Sequence, residues 1–254
     1  MEYLPKVAIA TLAGLPNMPV LIDEKIPQRL VESLELFLPN RTGTINVPHL
    51  SPVRVKRLWV ASNPMYMGFY PTVWGPDTWT AMATHPSSFA ALLDELKRLS
   101  NCEVSRSGGF ERVFLARKPS RVKKRMVNHV EIEALARERG FQVIYPEDLP
   151  FGEQIRVAHQ AKYLMGPEGS NMLLPIFGST GAKVCVLTSP NTFPLADING
   201  IVTQRGIDYT LFTGPFVTMD EDWLFWNDYR IDTTSLAEFL DEWLKAGRSP
   251  GRYA

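Results

Sequence analysis

The sequence has little of what small secreted proteins and zinc proteins depend on. It contains two cysteines, Cys102 and Cys185, and four histidines in 254 residues. The cysteines lie far apart and form no Cys-x-x-Cys pair, so neither a disulfide framework nor a metal site is predicted. A chain of this length can bury a core that is stable without such staples. The composition therefore fits a reducing, cytoplasmic location.

The chain also lacks an excess of either charge, because 27 basic residues balance 27 acidic ones. General nucleic-acid binders normally carry a basic excess, so no nucleic-acid partner is predicted, and any anion must bind at a local cluster. No apolar run reaches the roughly 18–20 residues of a transmembrane helix. The apolar segment 7–15 is predicted to be part of a core helix, since no small-residue cleavage site follows it. Peripheral association at the inner face of a membrane stays open.

The first part of the chain predicts an α/β arrangement with few strands. Strands are predicted at 19–23 and 55–62, with an amphipathic helix over 27–38 between them. Residues 63–86 are rich in proline, glycine and aromatic residues, which is typical of a long surface loop. Further helices are predicted at 4–12 and 87–99. Small residues at 105–109 indicate a boundary between an N-terminal domain, 1–105, and a C-terminal domain, 106–254.

The second part alternates short apolar strands with helices of about ten residues. Strands are predicted at 113–116, 141–145, 163–165, 183–188 and around Leu211, and helices at 130–139, 151–160, 170–177 and 235–244. This alternation predicts an α/β fold with a parallel sheet covered on both faces.

Two loops follow predicted strands at positions where such sheets bind ligands. Residues 117–125 carry six basic side chains, and residues 166–171 read Gly-Pro-Glu-Gly-Ser-Asn. Ligands bind at the carboxyl ends of parallel strands, and arginine suits phosphate oxygens. A solvated charge run and purely structural glycines are the alternative explanations. Together the loops favour a phosphate-bearing ligand.

A third loop contains Glu147, which is placed to accept hydrogen bonds from ribose or sugar hydroxyls. Helix capping accounts for the neighbouring acids Asp148 and Glu153.

These segments occur in an order that resembles glycosyltransferase family 61. The resemblance rests on the arginine loop followed by Asn128-x-x-Glu131, on Gly140-Phe141 with Pro146-Glu147 and Gln154, and on Gly166-Pro-x-Gly169-Ser170. It is specific over about 80 residues of this sequence. Before residue 110 it is weaker and rests mainly on Glu2-Tyr-Leu-Pro.

The resemblance implies a GT-B-like architecture of two Rossmann-like domains with parallel sheets, the N-terminal one reduced. It also implies an inverting hexosyl- or pentosyltransferase that moves sugar from a nucleotide diphosphate-sugar donor to a glycan acceptor, such as a bacterial surface glycan. Neither a cofactor nor a metal is expected.

The site residues are implied by the same match. Arg117 and Arg125 would neutralise the donor diphosphate, with the backbone N–H groups of Gly169 and Ser170. Glu2 would be the catalytic base. The remaining positions would contact the donor sugar or nucleoside: Asn128, Glu147, Gln154, Glu168 and Asn171.

Two departures from the family pattern leave alternatives open. Glu168 replaces the usual histidine of the glycine loop, and Leu174 replaces an asparagine. Both changes remove hydrogen bonds to a donor, so an altered donor, or a non-catalytic nucleotide- or carbohydrate-binding module, is the alternative hypothesis. A further hypothesis assigns sugar stacking or protein docking to aromatic residues of the surface loop, with the capping of a core as the alternative explanation. These are Tyr66, Phe69, Tyr70, Trp74 and Trp79.

Overall fold

The chain divides into two compact units in a computed structural model. The first unit comprises Met1–Glu103 with Pro150–Ile155, and the second comprises Val104–Leu149 with Arg156–Ala254. The structure describes residues 10, 13–15, 18–38, 43–60, 94, 109–118, 126–190, 202–203, 205–217 and 227–245. The donor and acceptor roles predicted for the two domains stay predictions.

The first unit contains a parallel pair of strands joined by a helix. Strand β1, Val20–Asp23, is followed by helix α1, Gln28–Glu35, and strand β2, Thr44–Val47. The helix buries Val31 and Leu34, which lie three residues apart and share one face. In the register of the two strands, Asp23 lies opposite Val47, so both strands end at the same edge.

The second unit contains the longer α/β succession that the sequence predicts. Its elements are β3 (Arg112–Leu115), α2 (His129–Glu138), β4 (Gln142–Ile144), a 3₁₀ turn (Pro146–Asp148), α3 (Phe151–Gln160), β5 (Tyr163–Pro167), a 3₁₀ helix (Ser170–Phe177), β6 (Lys183–Thr188), β7 (Asp208–Thr213) and α4 (Thr233–Lys245). The first residues of α3 belong to the first unit.

The five strands of the second unit form one fully parallel sheet in the order β4-β3-β5-β6-β7. The chain moves outward from β3 to β4 and then returns to the other side of β3 as β5. The order therefore reverses between β3 and β5, and this reversal is the topological switch point at which such sheets bind ligands. The prediction of an α/β fold with parallel sheets is confirmed, and the strand order is consistent with a Rossmann-like fold.

One face of this sheet packs against two helices. Alternate strand residues, among them Phe114 and Met165, meet Ile132 and Leu135 of α2 and Trp243 of α4 in a single core. Strand β6 is buried along its whole length, which explains its continuous apolar sequence.

The prediction of a strand at 55–62 is wrong over residues 55–60, the part that the structure describes. Residues 51–60 have no strand structure and are exposed, and the second strand of the first unit is instead β2. The apolar residues Val55, Leu58 and Val60 that suggested a strand find no core to pack against. The helix predicted at 170–177 has 3₁₀ geometry, with Pro175 inside it.

Candidate functional site

Two of the predicted ligand loops meet at the switch point of the second unit. Arg117 lies just beyond β3, and its Nη1 donates a hydrogen bond to the backbone oxygen of Glu168, just beyond β5, at 3.0 Å. A second bond joins the same two loops, because Nδ2 of Asn171 donates to the backbone oxygen of Leu115, the last residue of β3, at 2.9 Å. These two bonds hold the ends of the neighbouring strands together and place the Arg117 guanidinium at the crevice.

Glycine is required where the two loops approach each other. A Cβ atom on Gly169 would lie 2.5 Å from Nη1 of Arg117, and the φ of Gly169 is +151°. A Cβ atom on Gly166 would lie 2.6 Å from the backbone oxygen of Leu115. The backbone at Gly169 can therefore approach the Arg117 guanidinium closely, and the backbone at Gly166 can approach strand β3. These two approaches explain why the loop has glycine at both positions.

The carboxylate of Glu168 faces into the protein. Its Oε2 accepts a hydrogen bond from the hydroxyl of the buried Thr188, at the end of β6, and Glu168 itself is 9% exposed. Burial, with a smaller contribution from the negative charge of Glu168, raises the pKa of the Tyr209 hydroxyl. Glu168 thus presents its backbone oxygen to Arg117 and its carboxylate to β6.

The neighbouring β4 loop reaches the arginine loop through Lys118. The backbone N–H of Lys118 donates to Oε1 of Glu147 at 3.0 Å, and its ammonium pairs with Asp148. This pairing raises the pKa of Lys118. Glu147 is exposed, so the structure brings it to the edge of the site that holds Arg117.

Asn128 makes a different kind of contact. Its Nδ2 donates to the backbone oxygen of Ile231 at 2.8 Å, and its Oδ1 accepts from the N–H of Ile231 at 3.2 Å. The amide therefore pairs with the backbone like an extra strand residue and holds the segment that leads into α4.

The other predicted site residues are divided between the units. Ser170 is exposed at the start of the 3₁₀ helix in the second unit, whereas Gln154 is half-buried on the part of α3 that belongs to the first unit. Glu2, Arg125 and the aromatic residues of 63–86 lie outside the described residues.

A pair of polar side chains in the first unit was missed by the sequence reasoning. Nδ1 of His49 lies 2.8 Å from Oδ2 of Asp23, at the end of the sheet formed by β1 and β2. The signal was weak because the two residues are 26 positions apart and β2 was not predicted. Asp23 ends a strand that was predicted, so its position at a ligand-binding edge was the one usable hint.

The switch-point site combines a cation with a buried polar atom. Oδ1 of Asn171 is buried and accepts no hydrogen bond from any described residue. A buried acceptor without a donor calls for an explanation. Among the described residues, no group of three His, Cys, Asp or Glu side chains is arranged to hold a metal ion.

The fold and the site define a parallel α/β protein whose candidate ligand site, lined by an arginine and a glycine turn, lies at the switch point. The family model Glycosyltransferase 61 matches residues 1–185. The chain therefore belongs to glycosyltransferase family 61, which confirms the resemblance drawn from its motifs. No curated protein matches the chain. Within the described ranges, no helix is long and apolar enough to cross a membrane.

Proposed function

We propose that this chain is an inverting glycosyltransferase whose second unit binds a nucleotide diphosphate-sugar at the switch point. Membership of the family supports a sugar donor and a glycan acceptor as substrates. The observation that carries the donor site is the contact between Arg117 and the backbone of Glu168 beside Gly169, at the edge where parallel sheets bind phosphates.

Charge and shape at this site suit a diphosphate. The guanidinium of Arg117 is fixed through one nitrogen, which leaves its other N–H donors to face phosphate oxygens in the planar geometry that arginine favours. As the bond to the sugar breaks, negative charge grows on the leaving phosphate, and a positioned cation stabilises it. Arg125 is proposed to add a second cation, with the N–H groups of Gly169 and Ser170.

Hydroxyl groups of the donor are assigned to the polar side chains around the crevice. Oδ1 of Asn171 is a buried acceptor without a partner among the described residues, and Glu147 offers an exposed carboxylate. Gln154 is proposed to contact the donor as well. Asn128 would have to give up its bonds to Ile231 to do so. The carboxylate of Glu168 is buried and bonded to Thr188, so we assign it no contact with the phosphates.

The architecture and the acceptor belong to the same proposal. A GT-B arrangement implies that the first unit binds the acceptor, which we take to be a hexosyl- or pentosyl-accepting bacterial surface glycan, without a metal cofactor. The proposed location is the cytoplasm, with peripheral association at the inner face of the membrane. The exposed segment 50–60 supports peripheral association, because it carries Arg54, Lys56 and Arg57 beside the exposed Leu58 and Trp59.

The experiment that tests this function is a survey of donor turnover. The full chain is incubated with UDP-glucose, UDP-N-acetylglucosamine, UDP-xylose and GDP-mannose, and release of nucleoside diphosphate to water is measured. We expect slow release from at least one donor, inhibited by the matching free nucleoside diphosphate. Binding of a nucleoside diphosphate without release from any donor would instead favour a non-catalytic binding module, the second candidate that the unusual Glu168 supports.

A further inference from the structure

The first unit exposes a continuous segment that combines apolar and basic side chains. Residues 50–60, here called the basic–apolar segment, form neither helix nor strand, and every one of them is exposed. More than half of them have large apolar side chains: Leu50, Val53, Val55, Leu58, Trp59 and Val60. Soluble proteins rarely expose so many neighbouring apolar residues unless that surface meets a partner. The segment is therefore a candidate docking surface.

The turn at the start of the segment is held in one conformation. A backbone hydrogen bond of 3.3 Å closes the turn at 48–51, Nδ1 of His49 lies 2.8 Å from Oδ2 of Asp23, and the N–H of His49 donates to Oε1 of Glu24 at 3.2 Å. Leu50 has a φ of +52°, a conformation that leucine rarely adopts. Its side chain is 90% exposed, so burial does not compensate for the strain. Strain of this kind clusters at functional sites, which supports a role for Leu50 in contacting a partner.

The charge of the segment is of one sign. Arg54, Lys56 and Arg57 are basic, and no acidic residue lies between positions 50 and 60. Basic side chains of this length lay their apolar stems along a membrane surface while their charged ends meet phosphate groups. Each of them near an anionic membrane strengthens binding about fivefold, so three together contribute about a hundredfold.

An anionic lipid surface fits this combination better than a nucleic acid or a protein does. Nucleic acids are bound through phosphates and stacked bases, which offer little to exposed leucine and valine side chains. The buried cores of protein interfaces are depleted in lysine and other charged residues, whereas Lys56 and Arg57 stand directly before Leu58 and Trp59. Tryptophan is enriched at the level of lipid headgroups, because its ring is apolar and its N–H is polar.

We propose that the basic–apolar segment docks the first unit on membranes that contain anionic phospholipids. Leu50 and Trp59 insert at the headgroup level, and the three basic side chains pair with lipid phosphates. The docking is reversible, because a few inserted side chains bind far more weakly than a transmembrane helix. This inference rests on the peripheral association in the proposed function, and it names the surface and the class of lipid.

Cosedimentation of the full chain with lipid vesicles tests the proposal. Vesicles of phosphatidylcholine alone are compared with vesicles of phosphatidylcholine and phosphatidylglycerol in equal amounts. We expect binding to the anionic vesicles and little binding to the neutral ones. Raising the salt from about 0.1 M to about 1 M shortens the screening length from about 10 Å to about 3 Å and should weaken binding at least about tenfold. Equal binding to both kinds of vesicle would overturn the choice of an anionic lipid.

A charge variant and a matched control locate the contact. The charge variant carries three substitutions in the segment, Arg54→Gln, Lys56→Gln and Arg57→Gln. The control removes the same charge from exposed positions of the second unit, with Arg137→Gln, Lys162→Gln and Lys245→Gln. We expect the charge variant to bind anionic vesicles about a hundredfold more weakly and the control to stay within about twofold of native. Equal losses in both would overturn the assignment to this segment.

Two substitutions test the apolar contact. Leu50→Ser should weaken binding to anionic vesicles about tenfold, since it removes the apolar side chain of the turn. Trp59→Phe keeps an apolar ring and should bind like the native chain, but it removes one of the six tryptophans. Brominated lipids quench a tryptophan that they touch, so quenching should be stronger in the native chain than in Trp59→Phe. Equal quenching would overturn the insertion of Trp59. All these positions are exposed, and circular dichroism checks that the variants fold.

The remaining outcomes distinguish this inference from the proposed function. Failure to bind anionic vesicles would overturn the docking surface, whether the segment binds single-stranded RNA instead or is covered by a second copy of the chain. Sedimentation of the free chain detects that second copy as a dimer, which Leu50→Ser would dissociate. A chain that releases nucleoside diphosphate from a donor but binds no anionic vesicle would contradict the docking surface alone. A chain that binds these vesicles but no nucleoside diphosphate would contradict the donor site and support the docking surface.

Discussion

Gly169 is the residue at which the candidate donor site is packed most closely. In Gly169→Ala the added Cβ would meet Nη1 of Arg117 at 2.5 Å, and the backbone would keep a φ of +151° that alanine rarely adopts. We expect a loss of about 1–3 kcal/mol in the free energy of unfolding, from backbone strain. Displacement of Arg117 should also weaken nucleoside diphosphate binding about tenfold. Urea denaturation and calorimetry measure the two effects.

Gly181 provides a matched control for this substitution. Its φ is +84°, but a Cβ atom there meets nothing within 4 Å. Gly181→Ala should therefore cost stability in the same way and leave ligand binding at the native value. Equal loss of binding in both variants would show that strain, and not the position of Arg117, controls the site.

Asn128 is expected to act on stability more than on binding. Asn128→Ala leaves the N–H and the carbonyl oxygen of Ile231 without their present partners in a buried setting. An unsatisfied buried polar group costs about 1–3 kcal/mol. The free energy of unfolding, measured with urea, should therefore fall by at least that amount. A variant with native stability and a lost affinity for nucleoside diphosphate would show that Asn128 contacts the donor directly.

At the scale of elements, helix α4 closes the core of the second unit. Trp243 is 1% exposed, and its ring lies 5.2 Å from that of Tyr163 and 5.6 Å from that of Phe239, between centroids. Trp243→Ala removes both contacts and should lower the free energy of unfolding by about 3–5 kcal/mol. The neighbouring Glu242 is exposed, and Glu242→Ala should change it by less than about 0.5 kcal/mol. Similar losses in the free energy of unfolding for the two variants would contradict the role of Trp243 in closing the core.

The start of α4 should make the protein sensitive to acid. The backbone N–H of Ser235 donates to Oδ1 of Asp232 at 2.7 Å, and this bond holds the pKa of Asp232 below its usual value of 3.8. A lowered pKa in the folded state stabilises the protein above the unfolded value, and that contribution is lost as pH falls below about 4. Asp232→Asn should therefore lower the urea midpoint at pH 7. The difference between the variant and native midpoints should shrink as pH falls below about 4 toward the lowered pKa of Asp232. A difference that persists unchanged at low pH would contradict the assignment.

The predictability of an element depended on how deeply it is buried. The apolar run of β6 predicts a strand over 183–188, and the apolar periodicity of α3 predicts a helix over 151–160. Both ranges are the ones observed. Strand β2 was missed because its sequence, Thr-Ile-Asn-Val, is short and mostly exposed or half-buried. The pattern at 55–62 looked more like a strand, yet a strand needs a partner and a core, which a local pattern does not contain.

At the scale of the whole molecule, the sequence predicted which loops would carry the site but not how the strands bring them together. Arg117 and Gly169 each follow a strand, which local patterns disclose. That β3 and β5 are neighbours depends on the strand order, and a single sequence does not contain it. The His49–Asp23 pair escaped notice for the same reason, since it forms only when β1 and β2 align.

The central claim is that the switch point of the second unit binds the diphosphate of a nucleotide-sugar. Calorimetric titration of the full chain with UDP, GDP, CDP and ADP tests it most directly, in the native chain, in Arg117→Ala and in Arg137→Ala. Arg137 carries the same charge at the far end of α2, paired with Glu133, and serves as the matched control. We predict binding of at least one nucleoside diphosphate, weakened about tenfold or more in Arg117→Ala and unchanged in Arg137→Ala. Absence of binding to all four, or native affinity in Arg117→Ala, would contradict the account.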